Sequence, residues 1–248
     1  MTPHQYLSSV LAGQNLESED MKRLRYSRQE VESVLRESYG GSPRIYYGGS
    51  FGKHTMIKTS YDLDIVLYFP HTVTTPLREL YWHVYRTLVD YGYTVEPKTV
   101  SLRLSHKSGF HVDVVPGMAQ DSTFHYATLY MNGKDSSRLT SLKVHIESAR
   151  RLRDTIRIMK LWRLLNGVQL KTFALELIIN RAMRGRPQND YGRSVVTVLE
   201  YMRYNINRVR LEDPANTNNE VDMSVGERAA VWRAAVDSLG THWERVIW

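Results

Sequence analysis

The chain of 248 residues contains no cysteine. That absence excludes a disulfide framework, a thiol nucleophile and a cysteine-ligated zinc ribbon, and it fits a reducing compartment, so a cytoplasmic protein is expected. No apolar run approaches the roughly 18 residues that a membrane span requires. The opening MTPHQYLSSV has no basic start leading into a hydrophobic stretch, so neither secretion nor a membrane partner is expected. Prolines (8) and glycines (15) are few and scattered. They leave no flexible linker, repeat or low-complexity tract to string lobes apart.

What remains is ordinary globular usage, 42% hydrophobic and 24% charged, which excludes wholesale disorder, collagen and coiled coil. Lysine and arginine total 33 against 26 acids, a balance of +7 with a sequence pI near 9.5. Such an excess favours polyanionic partners, either nucleoside triphosphates or nucleic acid held on a basic surface.

Periodicity supplies the architecture. From Ser18 to about Tyr39, Met21, Leu24, Val31, Val34 and Leu35 recur near one face and Gly40-Gly41 marks a stop, so a long helix is expected. RIYYGGSFGKHT is an apolar strand running into glycines, and YDLDIVLYF has strand composition. A helix is expected from about Pro76 to Tyr91. Two short strands follow, VSLRLSH and FHVDVVPG, the second closed by Pro116 and Gly117. Beyond about residue 140 the pattern turns helical: one helix through LKVHIESARRLRDTIRIMKLWRLLNG, another through KTFALELIINRAM, a polar loop LEDPANTNNEV and a terminal helix VGERAAVWRAAVDSL. Strands first and helices second predict an α+β protein, with a lobe over 1–140 built on a mixed sheet and a helical lobe over 141–248 packed on it. The site is expected in the cleft between them.

Chemistry concentrates in the strands. Asp62 and Asp64 lie two apart in an otherwise apolar strand, so their carboxylates share a face about 6–7 Å apart. Like charges so close repel unless a cation sits between them. Hard divalent ions suit this donor type together with phosphate oxygens. Asp113, in HVDVV, joins the pair if its strand lies alongside. Three carboxylates can hold two ions, and Asp113 can also accept a proton from an attacking hydroxyl. Upstream, Gly48, Gly49 and Ser50 form a small-residue turn whose N–H groups and hydroxyl can approach phosphate closely. His54, His111 and His145 show no paired ligand spacing and are expected to be ordinary polar positions.

The order Gly49-Ser50, then Asp62-Leu63-Asp64, then Asp113 resembles the signature of the polymerase-β-like nucleotidyltransferases. DLDIVLYFP and HVDVVPG look like the metal strands of CCA-adding enzymes, oligoadenylate synthetases and bacterial synthases related to cyclic GMP-AMP synthase. The LEDPANTNNEV loop is similar to an Asp-Pro, Asn-Asn loop near the end of those proteins, and the chain is identified with the CD-NTase and oligoadenylate synthetase group. That resemblance implies donor-phosphate contacts from Lys160 and Thr172 and base stacking by Phe173, which stands where tyrosine is usual. It implies metal ligation by Asp62, Asp64 and Asp113 with two Mg²⁺ ions or Mn²⁺, and nucleotide holding by Gly49 and Ser50. One departure concerns the phosphate loop: His54-Thr55 follows Gly49-Ser50-Phe51-Gly52-Lys53 where a second Gly-Thr or Gly-Ser is usual, leaving Gly52 to supply flexibility and Lys53 an extra phosphate contact.

The activity this resemblance implies is condensation of nucleoside triphosphates, ATP or GTP, into a short, cyclic oligonucleotide second messenger of antiviral defence, with pyrophosphate release. Two alternatives stand beside it: nucleotide addition to an RNA end, and a catalytically silent nucleic-acid-binding module. Arg150, Arg153 and Arg157 on one helical face, with Arg181, Arg184 and Arg186 later, offer a surface for triphosphate or RNA. Nothing in these residues chooses among bases, linkages or oligomeric states.

Overall fold

The structure, a computed structural model, describes residues 1–105 and 110–247. His106, the last residue of the expected strand VSLRLSH, lies outside the described residues. In chain order the elements are α1 (Pro3–Gly13), α2 (Ser18–Tyr39), β1 (Arg44–Tyr47), α3 (Gly49–Lys53), β2 (Leu63–Phe69), α4 (Leu77–Asp90), β3 (Val95–Pro97), β4 (Leu102–Ser105), β5 (His111–Ala119), β6 (Ala127–Met131) and β7 (Ser136–Thr140). There follow α5 (Leu142–Arg150), α6 (Arg153–Leu165), α7 (Thr172–Ala182), α8 (Tyr191–Asn205), β8 (Glu212–Asp213), β9 (Asn216–Glu220), α9 (Val225–Leu239) and α10 (Trp243–Val246).

The chain divides into two compact units, one of Leu16–His54 and Tyr61–Ile146, the other of Met1–Asn15, Thr55–Ser60 and Glu147–Trp248. This differs from the expected split at 140. The boundary falls inside α5, and α1 and residues 55–60 count with the helical unit. Arg157 is one reason. Its guanidinium donates to Met56 O (3.0 Å), Leu11 O (3.3 Å) and Asn15 Oδ1 (2.8 Å), tying both outlying segments to α6.

The first unit is built on a seven-stranded mixed sheet of order β1-β2-β5-β4-β3, with β6 joining β5 to β7. Its centre is the parallel pair β2 and β5, with Asp64 opposite Asp113 in register. Every β2 residue except Asp64 is buried, the near-continuous apolar pattern of a strand covered on both faces. α2 buries Leu24, Ser27, Val31 and Leu35 along one stripe and ends at Gly40, whose φ of +62° suits glycine. β5 runs through Pro116 and Gly117 instead of stopping there. The β4 ladder has ended at Val114 and the β6 ladder starts at Gly117, so the missing proline N–H breaks no antiparallel rung.

The second unit packs α6, α7 and α8 around Ile156, Met159, Trp162, Ile178 and Val198. The helix expected through 142–166 is two, broken at Arg151-Leu152 without glycine or proline. The expected polar loop LEDPANTNNEV is a hairpin of β8 and β9, its turn held by the Asp213 carboxylate accepting from the Ala215 N–H at 2.8 Å.

Candidate active site

β2 delivers Asp64 to the sheet face beside its register partner Asp113, and Asp62 stands just before the strand. Asp64 feels both of the other carboxylates. Burial first, then repulsion from Asp113 and from Asp62, pushes the Asp64 carboxyl up to about 6, while Lys53 and Arg103 pull the other way. Lys53 is buried, so it serves here as a counter-charge within the protein.

The Gly48–Lys53 segment folds as the short helix α3, tied to β2 by the Gly48 N–H donating to Asp64 O at 2.9 Å. Gly49 has φ +51°, and a Cβ there would overlap Asp64 Oδ2. A Cβ on Gly52 would overlap the Tyr47 carbonyl oxygen, so close backbone approach, not flexibility, requires that glycine. Ser50 follows Gly49 in the first turn. The residue that replaces the loop's usual second glycine, His54, takes the left-handed conformation itself (φ 56°, ψ 42°) as the C-cap of α3. We expect His54→Gly to relieve about 1 kcal/mol of backbone strain and to raise the thermal midpoint by about 2–4 °C. A lower midpoint by calorimetry would show that the His54 side chain outweighs that strain.

Sequence reasoning missed Arg103. From β4, opposite Asp113 in register, its Nε donates to Asp113 Oδ1 at 3.0 Å and its Nη2 to Oδ2 at 2.7 Å. This two-pronged pair holds the third carboxylate in place, and the Asp113 side chain is only 11% exposed. An arginine inside the alternating LRLS of an antiparallel neighbour was the available signal. The donor set, hard carboxylates crowded until one is driven towards protonation, fits a divalent cation. Among the described residues no three acid or histidine side chains are already gathered as a metal site, which accords with the Arg103 fork on Asp113. Arg103→Gln is expected to lower the Mg²⁺ concentration at half-maximal thermal stabilisation by about tenfold, because a competing cation is gone. An unchanged or higher midpoint in a Mg²⁺ titration contradicts that competition.

The remaining expected site residues lie in the helical unit. Lys160 is buried and its Nζ donates to Thr55 O (3.0 Å) and Thr55 Oγ1 (3.2 Å). Thr172 opens α7, and its hydroxyl accepts from Arg163 Nη1 at 3.0 Å. Arg163 also donates to Leu170 O at 2.6 Å. Phe173 packs against the helical core. The structure thus gathers Gly49, Ser50, Asp62, Asp64 and Asp113 in the sheet unit and sets Lys160, Thr172 and Phe173 in the other.

No family model and no curated protein sequence matches the chain. Solved structures do. E. coli MS115-1 CdnC in complex with HORMA-deltaN aligns with a TM-score of 0.75 at 20% identity, over 95% of this chain and 89% of that one. The Bradyrhizobium diazoefficiens CD-NTase CdnG in complex with GTP gives 0.77 at 12% identity, over 96% and 90%. Cid1 poly(U) polymerase gives 0.68 at 11%, over 95% and 92%. The chain shares the fold of these proteins, CD-NTases and a poly(U) polymerase among them.

Proposed function

We propose that this protein is a metal-dependent nucleotidyltransferase that condenses nucleoside triphosphates into a short, cyclic oligonucleotide with release of pyrophosphate. The observation that carries this reading is the register pair Asp64 and Asp113 with Asp62 beside them, packed against the cramped Gly49 turn, on this fold. Similar structures include a cyclic dinucleotide synthase with GTP and Apcpp and CdnC with ATP, which supports ATP or GTP as substrates.

Bound at Asp62, Asp64 and Asp113, Mg²⁺ or Mn²⁺ would supply charge neutralisation for the triphosphate and for the attacking hydroxyl. Gly49 and Ser50 bind the β- and γ-phosphates through backbone N–H and hydroxyl donors. The acceptor ribose oxygen attacks the α-phosphorus in line, its proton passes to Asp113, and the bond to the β-phosphate oxygen breaks to free pyrophosphate. Arg103 keeps the Asp113 carboxylate oriented for that proton. Lys160 and Thr172 belong to the donor phosphates in this reading, exchanging their bonds to Thr55 and Arg163 for phosphate oxygens, and Phe173 offers a ring face to the base.

The test is incubation with four labelled triphosphates and Mg²⁺ or Mn²⁺, with and without RNA, with products resolved before and after phosphatase. A phosphatase-resistant small product formed without RNA supports the proposal. Label appearing only on added RNA replaces it with RNA-end addition. No incorporation under any condition, with RNA binding intact, leaves a silent binding module.

A further inference from the structure

The helical unit contains a cavity of about 1190 Å³ between the end of α5, the end of α7, α8 and the β8–β9 hairpin. That exceeds the roughly 300–1,000 Å³ typical of pockets for one small molecule. Its lining carries charge of both signs, but the acids are already engaged within the protein. Glu147 pairs with Arg150 at 3.4 Å, Glu212 with Arg181 at 3.5 Å, and Asp213 closes the hairpin turn. Arg151, Arg184 and Arg186 also line it, all exposed and none in an ion pair among the described residues. Three uncompensated guanidiniums around one hollow present planar forks suited to phosphate oxygens.

The rest of the lining is not that of a simple anion site. Leu152, Leu177 and Met183 give an apolar floor, and Tyr201 adds the aromatic residue. Asn180 and Gln188 bring primary amides; the Asn180 Nδ2 donates to Glu176 O at 3.0 Å, which leaves its carbonyl oxygen to accept. Phosphate forks, an aromatic face and amides able to pair with base edges are the parts from which sites for unpaired nucleotides are made.

We infer that this cavity binds a single-stranded oligonucleotide segment of two or three nucleotides, its phosphodiesters on Arg151, Arg184 and Arg186 and an unpaired base against Tyr201. The inference concerns binding alone and is independent of the catalytic reading. The ligand can come from a free short oligonucleotide or from a segment of longer RNA, since both present the same phosphodiesters and open bases.

Fluorescence anisotropy tests it, in chelator and without triphosphates so that no turnover contributes. The probes are a labelled adenylate trimer, a single-stranded RNA of about 20 nucleotides and its duplex form. The parent protein should bind the trimer with a log–log salt slope of about −1.4, as the two phosphodiesters of a trinucleotide require. Arg151→Glu with Arg184→Glu and Arg186→Glu should weaken binding by at least about tenfold while the thermal midpoint stays put, since all three side chains are exposed. Gln188→Glu should weaken it too, with no arginine removed. Equal affinity for trimer and strand identifies a free oligonucleotide as the ligand; tighter binding of the strand identifies a segment of longer RNA. The inference is overturned if the trimer does not bind, if charge reversal changes affinity less than about twofold, or if the duplex competes as well as the single strand.

Discussion

Asparagine in place of Asp64 is expected to stop nucleotide transfer and yet to yield a more stable protein above pH 6. The carboxyl is raised from its ordinary 3.8 to about 6 by burial and by Asp113 and Asp62. Between those pH values the folded protein binds more protons than the unfolded chain, so stability falls as pH rises through the window and levels off above it. The gap corresponds to about 3 kcal/mol of destabilisation at pH 8, relative to the protonated state below pH 4. An amide of the same shape carries no charge and escapes that cost. Metal-free Asp64→Asn should therefore melt about 5–10 °C higher than the parent at pH 8, and the two should converge near pH 4. Mg²⁺ should raise the parent's midpoint at pH 8 and leave the variant's nearly fixed, because the cation relieves a repulsion that the variant no longer has. Turnover should fall at least about 10³-fold. A variant less stable than the parent at pH 8 would falsify the crowded-carboxylate account, and retained turnover would remove Asp64 from the chemistry.

The residues that could be read from the sequence are those whose pattern is local. α2 runs over Ser18–Tyr39 as its apolar spacing and terminal glycines indicate, and β2 stands out because six apolar or aromatic residues surround one aspartate. The acids Asp64 and Asp113 were visible for the same reason: a charge in an apolar strand is conspicuous; Asp62, expected in the same strand as Asp64, stands one residue before it because β2 begins at Leu63. What escaped depends on partners distant in sequence. Arg103 is an unremarkable alternating residue until β4 places it against Asp113. α5 and α6 separate at residues 151–152 although the apolar spacing continues across the break. The hairpin at Glu212–Glu220 is written in asparagines with little strand preference, so only the Asp213 turn and the pairing of β8 with β9 make it a hairpin. α1 and α8 bury Leu7 and Val198 in the helical core, a packing that only the fold brings about. His54 shows the reverse case. The histidine in place of the glycine usual in the family that the sequence resembles was plain in the sequence, whereas its consequence, a histidine held at φ 56°, is a property of the backbone.

Gly49→Ala should be among the most damaging small changes in the molecule, and the reason can be isolated. Two penalties meet at this residue. Its φ of +51° is a conformation in which a Cβ costs about 1–2 kcal/mol. The new methyl would also overlap the Asp64 carboxylate, and forcing that group or the turn aside costs a further 1–3 kcal/mol or so. A total of about 2–5 kcal/mol is a large share of the roughly 5–15 kcal/mol that holds a domain folded. A urea-denaturation cycle with Asp64→Ala separates the terms. Removing the carboxylate takes away the overlap and leaves the backbone strain, so Gly49→Ala should cost about 1–3 kcal/mol less in the Asp64→Ala background than in the parent. Equal costs in both backgrounds would show that the two residues do not press on each other. The same contact links fold to chemistry: the Asp64 carboxylate keeps its place in the acid cluster because the residue packed against it has no side chain. Gly49→Ala is therefore expected to lower turnover even in the fraction that remains folded, measured at a temperature well below its midpoint.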